Sequence, residues 1–234
     1  MARHVGIVAC SAEGAALCYR TFCGEASGIM GEHMHPEVTM HTHPLGKYMP
    51  HIRSRNWQGV AELMLSSARK LAAVGADFVI CPDNTIHEAY PLVEKTSPLP
   101  WLHIAEAVAD EAVAQGFQKL GILGTKYLME GPVYPEVLKK YGLASEIPDK
   151  TTRDQIDSIL FRELVNGIVR EESRLYFNEV IGALKHRGCD AAVLGCTEIP
   201  LLVDPGDCPL PTLDSTRLLA RAALQHAVNE TSGV

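Results

Sequence analysis

The sequence has 234 residues, of which 47% are hydrophobic and 21% charged, a composition typical of a globular protein with ample core material in one large or two small domains. Its formal net charge of −7 argues against a general nucleic-acid-binding surface, which would have to be basic. No apolar run approaches the roughly 18 residues of a membrane span, and the first residues enter a strand-like pattern without the build of a signal peptide. These features predict a cytoplasmic protein that binds neither nucleic acid nor membrane.

The cysteines show no paired spacing. There are seven of them, an odd number, and none forms a CxxC motif. Free thiols are therefore expected, some of them reactive. The cysteines are Cys10, Cys18, Cys23, Cys81, Cys189, Cys196 and Cys208.

Short apolar runs alternate with amphipathic stretches along the chain. The predicted strands are 4–10, 37–43, 77–82, 119–125 and 190–196. The predicted helices are 57–74, 104–116, 152–170 and 172–187. The small residues at 9–14 are interpreted as a loop and the Pro/Asp-rich stretch at 203–216 as a linker. Strand and helix in alternation predict an α/β protein whose parallel sheets are covered by helices.

The two halves of the sequence repeat the same strand pair. Gly6 and Gly75 are 69 residues apart, and Gly121 and Gly188 are 67 apart, each at the start of a similar strand. We therefore predict two similar domains related by a pseudo-twofold axis. The predicted limits are an N-terminal domain at 1–104, a C-terminal domain at 105–212 and a helix at 213–234 that returns to the first domain.

The register of the repeat pairs two residues with acid/base chemistry. Laying Gly75 on Gly188 places Asp83 on Cys196, just beyond the second strand of each half. Ligands of open α/β sheets bind beyond the carboxyl ends of strands. If the halves face each other, Asp83 and Cys196 approach one small molecule from opposite sides. That arrangement suits stereoinversion at an acidic carbon, where one group removes a proton and the other delivers one to the far face.

Hydrogen-bond donors near these two residues are expected to hold a substrate carboxylate and to stabilise the negative charge of the developing carbanion. The candidates are Ser11, Asn84, Thr85, Thr125 and Thr197. Each of the two acid/base candidates also has a purely structural alternative: Asp83 could be a helix N-cap, and Cys196 could be a buried structural thiol.

Four motifs resemble those of the aspartate/glutamate racemase superfamily. They are "GIVACSAEG" at 6–14, "DNTIH" at 83–87, "LGT" at 123–125 and "GCTEI" at 195–199. The run at 53–93 is especially similar to the branch of aspartate racemases and broad-specificity amino acid racemases. The resemblance implies two Rossmann-like domains with the active site in the cleft between them. It also implies an isomerase that acts on an amino acid without pyridoxal phosphate or another cofactor, as a homodimer.

The resemblance also implies residue roles, with one departure. Cys196 matches the second of the family's two catalytic cysteines, while Asp83 stands where the first is expected. Asn84, Thr85 and Thr197 match residues that hold the substrate α-carboxylate, and Thr125 matches a residue lining the same site.

An aspartate is not equivalent to a cysteine in this position. Free aspartate has a pKa of about 3.9 against about 8.5 for cysteine, so it is ionised at neutral pH and removes a proton more readily than it donates one. Cys81, about 6.5 Å further back along the strand, is expected to lie buried beneath the site. We therefore predict a catalyst that is asymmetric in its initial rates, or slower than a two-cysteine relative.

Further polar residues have weaker assignments. His87 is interpreted as a residue that orients the site, and Glu198 as a contact of the substrate ammonium or of a neighbouring donor. His41 or His43 is expected to point into the cleft and select the substrate side chain, and Arg53 could supply a cation, although a solvated loop charge fits Arg53 equally well. The alternating histidines give no complete ligand set, so no metal site is expected.

Two other functions are open at this point. One keeps the fold but changes the reaction to that of single-cysteine relatives, which decarboxylate arylmalonates, isomerise maleate or racemise hydantoins. The other is a catalytically weak binding protein that senses an amino acid.

Overall fold

The computed structural model describes residues 2–229, in two compact units. One unit comprises Met1–Ala107 and Thr216–Val234, and the other Val108–Ser215. The predicted domain limits, after residues 104 and 212, stay predictions. None of the helices within residues 2–229 is long and apolar enough to cross a membrane.

The first unit is built around a four-stranded parallel sheet in the order β2-β1-β3-β4. Its strands are β1 (Val5–Ala9), β2 (Val38–Thr42), β3 (Phe78–Ile80) and β4 (Trp101–Leu102). Its helices are α1 (Ala12–Met30), α2 (Leu45–Arg53), α3 (Trp57–Ala73) and α4 (Tyr90–Val93), with a 3₁₀ turn at Thr85–Ala89. Helices α5 (Ile104–Ala114) and α10 (Ser215–Asn229) contain the boundaries between the units.

The second unit repeats this design, with the strand order β6-β5-β7-β8 and all neighbours parallel. Its strands are β5 (Lys119–Leu123), β6 (Ala144–Glu146), β7 (Ala191–Leu194) and β8 (Thr212–Asp214). Its helices are α6 (Lys126–Glu130), α7 (Val133–Lys140), α8 (Lys150–Arg162) and α9 (Glu171–His186), with 3₁₀ turns at Leu164–Asn166 and Ile199–Leu201. Two similar α/β units with parallel sheets confirm the predicted fold class.

Gly6 and Gly121, the first glycines of the two repeats, let a helix pack closely on the first strand of each unit. A Cβ at Gly6 would lie 3.1 Å from Leu71 Cδ1 of α3, and one at Gly121 would lie 2.9 Å from Leu184 Cδ1 of α9. A Cβ at either position would force these side chains to shift. The shared glycine is therefore a packing requirement of both units.

An equivalent pair of aspartates ties the strands together. Asp77 Oδ2 accepts a hydrogen bond from the His4 backbone N–H at 2.7 Å, just before β1. Asp190, its counterpart in the repeat, accepts from the backbone N–H groups of Gln118 (2.7 Å) and Lys119 (3.1 Å) at the start of β5. Backbone donors at the strand starts thus find the same kind of partner in both units.

The last helix packs against the first unit. Buried residues of α10 join the core formed by β1, β3 and α1; they are Leu219, Ala220, Ala223, Leu224 and Ala227. The predicted helix at 213–234 corresponds to Ser215–Asn229, and residues 230–234 lie outside the described part of the chain.

Several predicted elements were wrong in extent. The helix predicted at 152–170 ends at Arg162, and Gly167 follows with a φ of 71°, which breaks the helical path. The supposed loop at 9–14 already contains the start of α1, and the supposed linker at 203–216 contains β8. Strands β4, β6 and β8 were missed because each is only two or three residues long.

Candidate active site

The first unit brings a thiol and a carboxylate together at the carboxyl ends of β1 and β3. The parallel pairing of β1 with β3 ends at Ile7 and Ile80, and Cys10 and Asp83 each follow three residues later, close enough for the charge of Asp83 to act on the Cys10 thiol. Burial, followed by the charge of Asp83, raises the pKa of Cys10 well above its ordinary value, so the thiol keeps its proton.

Asp83 also supports the loop in which it lies. Its Oδ1 accepts a hydrogen bond from the Ile86 backbone N–H at 3.3 Å, at the start of the 3₁₀ turn. Asp83 thus makes a hydrogen bond of the kind a capping residue makes, although the N-cap of the turn is Asn84, and Asp83 is partly exposed. Cys81 is fully buried, and burial raises its pKa well above the ordinary value, next to the charge of Asp83. Its burial agrees with the expectation from the spacing.

His87 connects the Asp83 loop to the start of α5. Its Nδ1 lies 2.7 Å from the Asp83 backbone oxygen, and its Nε2 accepts a hydrogen bond from the Ile104 N–H at 3.3 Å. Because Nε2 accepts, Nδ1 carries the proton and donates to the Asp83 carbonyl. Burial lowers the pKa of His87 to about 4, against the opposing effect of this hydrogen bond, so the imidazole is neutral at physiological pH. The neutral ring makes two hydrogen bonds, and these fix the position of the loop that carries Asp83.

The second unit places another thiol and carboxylate in contact beyond β7. Cys196 Sγ donates to Glu198 Oε2 at 2.9 Å, and Thr197 Oγ1 donates to the same oxygen at 2.8 Å. Glu198 and Thr197 are buried, whereas Cys196 is partly exposed. The second unit thus has a partly exposed thiol held against a buried carboxylate, a suitable arrangement for a group that exchanges protons.

Two residues with hydroxyl side chains, Ser11 and Thr125, follow β1 and β5, the first strand of each unit. Leu123 pairs with Leu194, and continuing this register for two residues brings Thr125 beside Cys196. Thr125 caps α6 by accepting from the Leu128 N–H at 3.3 Å, and Ser11 caps α1 by accepting from the Gly14 N–H at 3.3 Å. Both predicted binding residues are therefore held at strand ends by the helices they cap.

Asn84 and Thr85 follow Asp83 directly and lead into the 3₁₀ turn. Asn84 is buried and Thr85 partly exposed. With Thr197 beyond β7, every predicted carboxylate-binding residue therefore lies beyond the carboxyl end of a strand in its own unit.

The predicted selectivity residues lie on or just beyond β2 and at the end of α2 in the first unit. His41 Nδ1 lies 2.9 Å from Ser67 Oγ, and His43 Nε2 lies 3.1 Å from Ser66 Oγ, so both rings contact α3. Burial lowers the pKa of each histidine, and the charge of Lys70 lowers it further. Arg53 is exposed in the last turn of α2. Their roles in selecting a substrate stay predictions. No group of three or more His, Cys, Asp or Glu within residues 2–229 could hold a metal ion.

Cys10 was missed in the sequence. Its stretch was interpreted only as a loop of small residues, although the repeat that places Gly6 on Gly121 also places Cys10 on Thr125. Applying the register to the first strands as well as the second would have identified it.

Comparison with known proteins identifies the family. Residues 7–223 match the family model of the Asp/Glu/hydantoin racemases. The chain belongs to this family. As the sequence predicts, family membership supports an isomerase with amino acid racemase activity.

Individual relatives agree with this assignment. The broad specificity amino-acid racemase RacX of Bacillus subtilis is 22% identical over 203 residues, which cover 87% of each chain. A crystal structure of a candidate Asp/Glu racemase from Yersinia pestis is 31% identical and has a TM-score of 0.89, covering 97% of this chain and 99% of that one. The fold is also shared with an aspartate racemase homologue from Pyrococcus horikoshii at 23% identity and a TM-score of 0.84, covering 96% and 99% of the two chains.

Proposed function

We propose that the chain racemises an α-amino acid, with Asp83 and Cys196 as the acid/base groups on opposite faces of the substrate α-carbon. The observation that carries the proposal is a correspondence between the units. Each has a thiol near a carboxylate beyond the ends of its strands: the charge of Asp83 raises the pKa of Cys10, and Cys196 is hydrogen-bonded to Glu198. Such pairs at the carboxyl ends of parallel strands suit proton transfer to and from a bound ligand.

The reaction needs two proton transfers in each direction. In one direction the Asp83 carboxylate takes the α-proton, so the C–H bond breaks, an O–H bond forms and the electron pair stays on the carbon. The Cys196 S–H then gives its proton to the opposite face and becomes a thiolate. The reverse direction starts from the state this leaves, a Cys196 thiolate and a protonated Asp83: the thiolate takes the α-proton and Asp83 gives its proton to the opposite face. Glu198, which accepts the hydrogen bond of the Cys196 thiol, is the proposed partner that exchanges the thiol proton between turnovers.

The surrounding donors are assigned to the substrate carboxylate and to the carbanion. Asn84, Thr85 and Thr197 hold the α-carboxylate, and Thr125 and Ser11 complete the set of donors. A hydroxyl that accepts a capping hydrogen bond, as Ser11 does, keeps its own proton as a donor. This set supplies the stabilisation of negative charge that removal of an α-proton requires.

The proposed substrates are aspartate, glutamate and related amino acids. The matched relatives are named as a broad specificity amino-acid racemase and as glutamate racemases, which supports a search among amino acids first. Arg53 is the proposed cation for an acidic side chain, and His41 or His43 the proposed neutral contact. We further propose that the enzyme acts as a cytoplasmic homodimer and uses no cofactor.

The deciding experiment is an amino acid panel in deuterated water. Loss of the α-proton, followed by NMR, and chirality, followed by chromatography, are measured for each enantiomer. Exchange and racemisation are expected for at least one amino acid, and Cys196→Ala should abolish both. Cys208→Ala is the matched control, since Cys208 is a partly buried thiol of the same unit that lies outside the proposed site.

Asp83 is tested by its own substitutions. Asp83→Cys is expected to raise the racemisation rate, because it restores a thiol to this position. Full exchange from both enantiomers in Asp83→Ala would refute an acid/base role for Asp83. Saturable binding of an amino acid without any deuterium exchange would instead identify a sensing protein.

A further inference from the structure

The loop after β5 is held by a carboxylate from another helix of the second unit. The backbone N–H of Lys126, the first residue of α6, donates to Asp157 Oδ1 of α8 at 3.0 Å. The Lys126 Nζ lies 3.8 Å from the other oxygen of this carboxylate, Oδ2. Thr125, which is assigned to the substrate as a donor, directly precedes this contact. The proposed reaction gives Asp157 no role, although it binds the backbone next to a proposed substrate residue.

The peptide group between Thr125 and Lys126 is held at both of its polar ends. Its N–H donates to Asp157, and its carbonyl oxygen, which belongs to Thr125, accepts from the Met129 N–H at 3.0 Å. The Thr125 hydroxyl oxygen also accepts from the Leu128 N–H at 3.3 Å. Because a peptide group is planar, fixing its N–H and its carbonyl fixes its rotation relative to the Thr125 Cα. The direction of the Thr125 side chain at the strand end is fixed with it.

The core of the second unit keeps Asp157 in place. Its neighbours Ile156 and Leu160 on α8 are buried in one hydrophobic cluster with Leu123 of β5 and Met129 of α6. The Asp157 side chain is only 15% exposed, so water competes weakly for its hydrogen bond to the backbone. The carboxylate is therefore a stable reference point for the loop.

The position of Thr125 matters to Cys196 because the chains that lead to them run side by side. The Gly195 N–H donates to the Leu123 carbonyl at 2.8 Å, which continues the pairing of β5 with β7. A Cβ at Gly124 would lie 3.2 Å from the Gly195 carbonyl oxygen. A change in the backbone at Thr125 would therefore change its placement relative to Cys196.

We infer that Asp157 is a positioning residue for Thr125, holding the Thr125–Lys126 peptide group so that the Thr125 hydroxyl keeps one direction at the strand end. This inference rests on the proposed function, because it needs Thr125 to donate to the substrate. A donor that is fixed before the substrate binds costs no reorganisation during the reaction, whereas a misplaced donor loses much of its effect on the rate. Asp157 acts through the backbone and does not itself contact the substrate.

The first test is a double-mutant cycle on kcat/KM for α-deuterium exchange. Thr125→Val removes the donor and should lower kcat/KM about 100-fold. Asp157→Ala removes the acceptor of the Lys126 N–H and should lower kcat/KM about 10-fold, because the same donor is then misplaced. If Asp157 acts through Thr125, the double variant should be no slower than Thr125→Val alone. Independent effects would instead multiply to about 1000-fold.

Three further variants separate the backbone contact from other effects of the substitution. Asp157→Asn keeps an oxygen that can accept from the Lys126 N–H, so its kcat/KM should stay near that of the wild type. Asp157→Leu keeps most of the side-chain volume but offers no acceptor, so it should be as slow as Asp157→Ala and replaces it in the cycle if the alanine variant does not fold. Asp154→Ala is the matched control, because Asp154 is an exposed carboxylate of the same helix that pairs with Lys150 at 2.6 Å. Its kcat/KM should be unchanged.

A second measurement does not depend on activity. NMR of the ligand-free protein gives the hydrogen-exchange rate of the Lys126 amide and the order parameter of the Thr125 methyl group. In Asp157→Ala the Lys126 amide should exchange at least about 10-fold faster, because it loses a hydrogen bond to a charged group. The Thr125 methyl group should become less ordered in the same variant. Both quantities should match the wild type in Asp157→Asn and Asp154→Ala.

The outcomes separate the two proposals. The positioning role would be overturned by effects that multiply in the cycle, by an Asp157→Asn variant as slow as Asp157→Ala, or by a Thr125 methyl group that stays fully ordered in Asp157→Ala. A wild type that exchanges no amino acid would overturn the proposed function. The order of the Thr125 methyl group would then still decide whether Asp157 positions Thr125.

Discussion

His87 makes the stability of the first unit depend on pH. The imidazole is buried and neutral, with a pKa of about 4 in the folded protein against about 6.5 for an unperturbed histidine. Between these values the unfolded chain binds a proton that the folded chain does not. Stability from this residue is therefore fully present above pH 6.5 and is lost as the pH falls towards 4. At about pH 5 the two pKa values give a loss of about 2 kcal/mol.

A glutamine at this position should remove that dependence. In His87→Gln the amide can donate to the Asp83 carbonyl and accept from the Ile104 N–H, as the ring does, but it does not titrate. Denaturant unfolding at about pH 7.5 and about pH 5 gives the change in the free energy of unfolding for each protein. The change should be smaller in His87→Gln than in the wild type by about 2 kcal/mol.

Two variants serve as comparisons. His186→Gln replaces an exposed histidine of α9 and should leave the pH dependence as it is. His87→Ala should lower stability by about 2–5 kcal/mol even at neutral pH, because it removes two hydrogen bonds and opens a cavity. If His87→Gln kept the full wild-type dependence, the neutral, buried state assigned to His87 would be wrong.

Two further predictions concern packing and the second unit. Gly6→Ala should cost about 1–3 kcal/mol in the free energy of unfolding, because its Cβ would lie 2.8 Å from Val79 Cγ1. Gly24→Ala in α1 meets nothing within 4 Å and should stabilise by about 0.5–1 kcal/mol, so denaturant unfolding of the pair tests close packing against helix propensity. Glu198→Gln should slow α-deuterium exchange about 10- to 100-fold, because Cys196 and Thr197 lose a charged acceptor. An unchanged exchange rate would show that Glu198 only fills space.

The sequence was most informative where the two halves constrain each other. The repeat correctly predicted two similar parallel α/β units, because the glycines and aspartates that define it have packing and hydrogen-bonding roles in both. It also indicated that Asp83 and Cys196 occupy equivalent strand ends. A repeated requirement appears twice in one sequence, so chance similarity is less of a concern than for a single motif.

The contacts of these residues could not be read from the sequence in the same way. The proximity of Cys10 to Asp83 involves residues 73 positions apart and depends on the pairing of β1 with β3. The orientation of His41 and His43 towards α3 depends on helix packing, since alternation along a strand gives two faces but not their neighbours. Short edge strands such as β4 carry too few residues for a periodic signal.

Unequal acid/base groups restrict the form that catalytic asymmetry can take. Free enantiomers have equal energies, so the equilibrium constant of racemisation is one, and kcat/KM must be equal in the two directions whatever groups transfer the protons. If Asp83 serves one face and Cys196 the other, the difference between carboxylate and thiol can appear only as a higher kcat matched by a higher KM in one direction. Initial rates at saturating substrate should therefore differ between the enantiomers, while the two values of kcat/KM agree. Asp83→Cys should bring the two kcat values closer together, and a variant that left their ratio unchanged would show that the asymmetry has another origin.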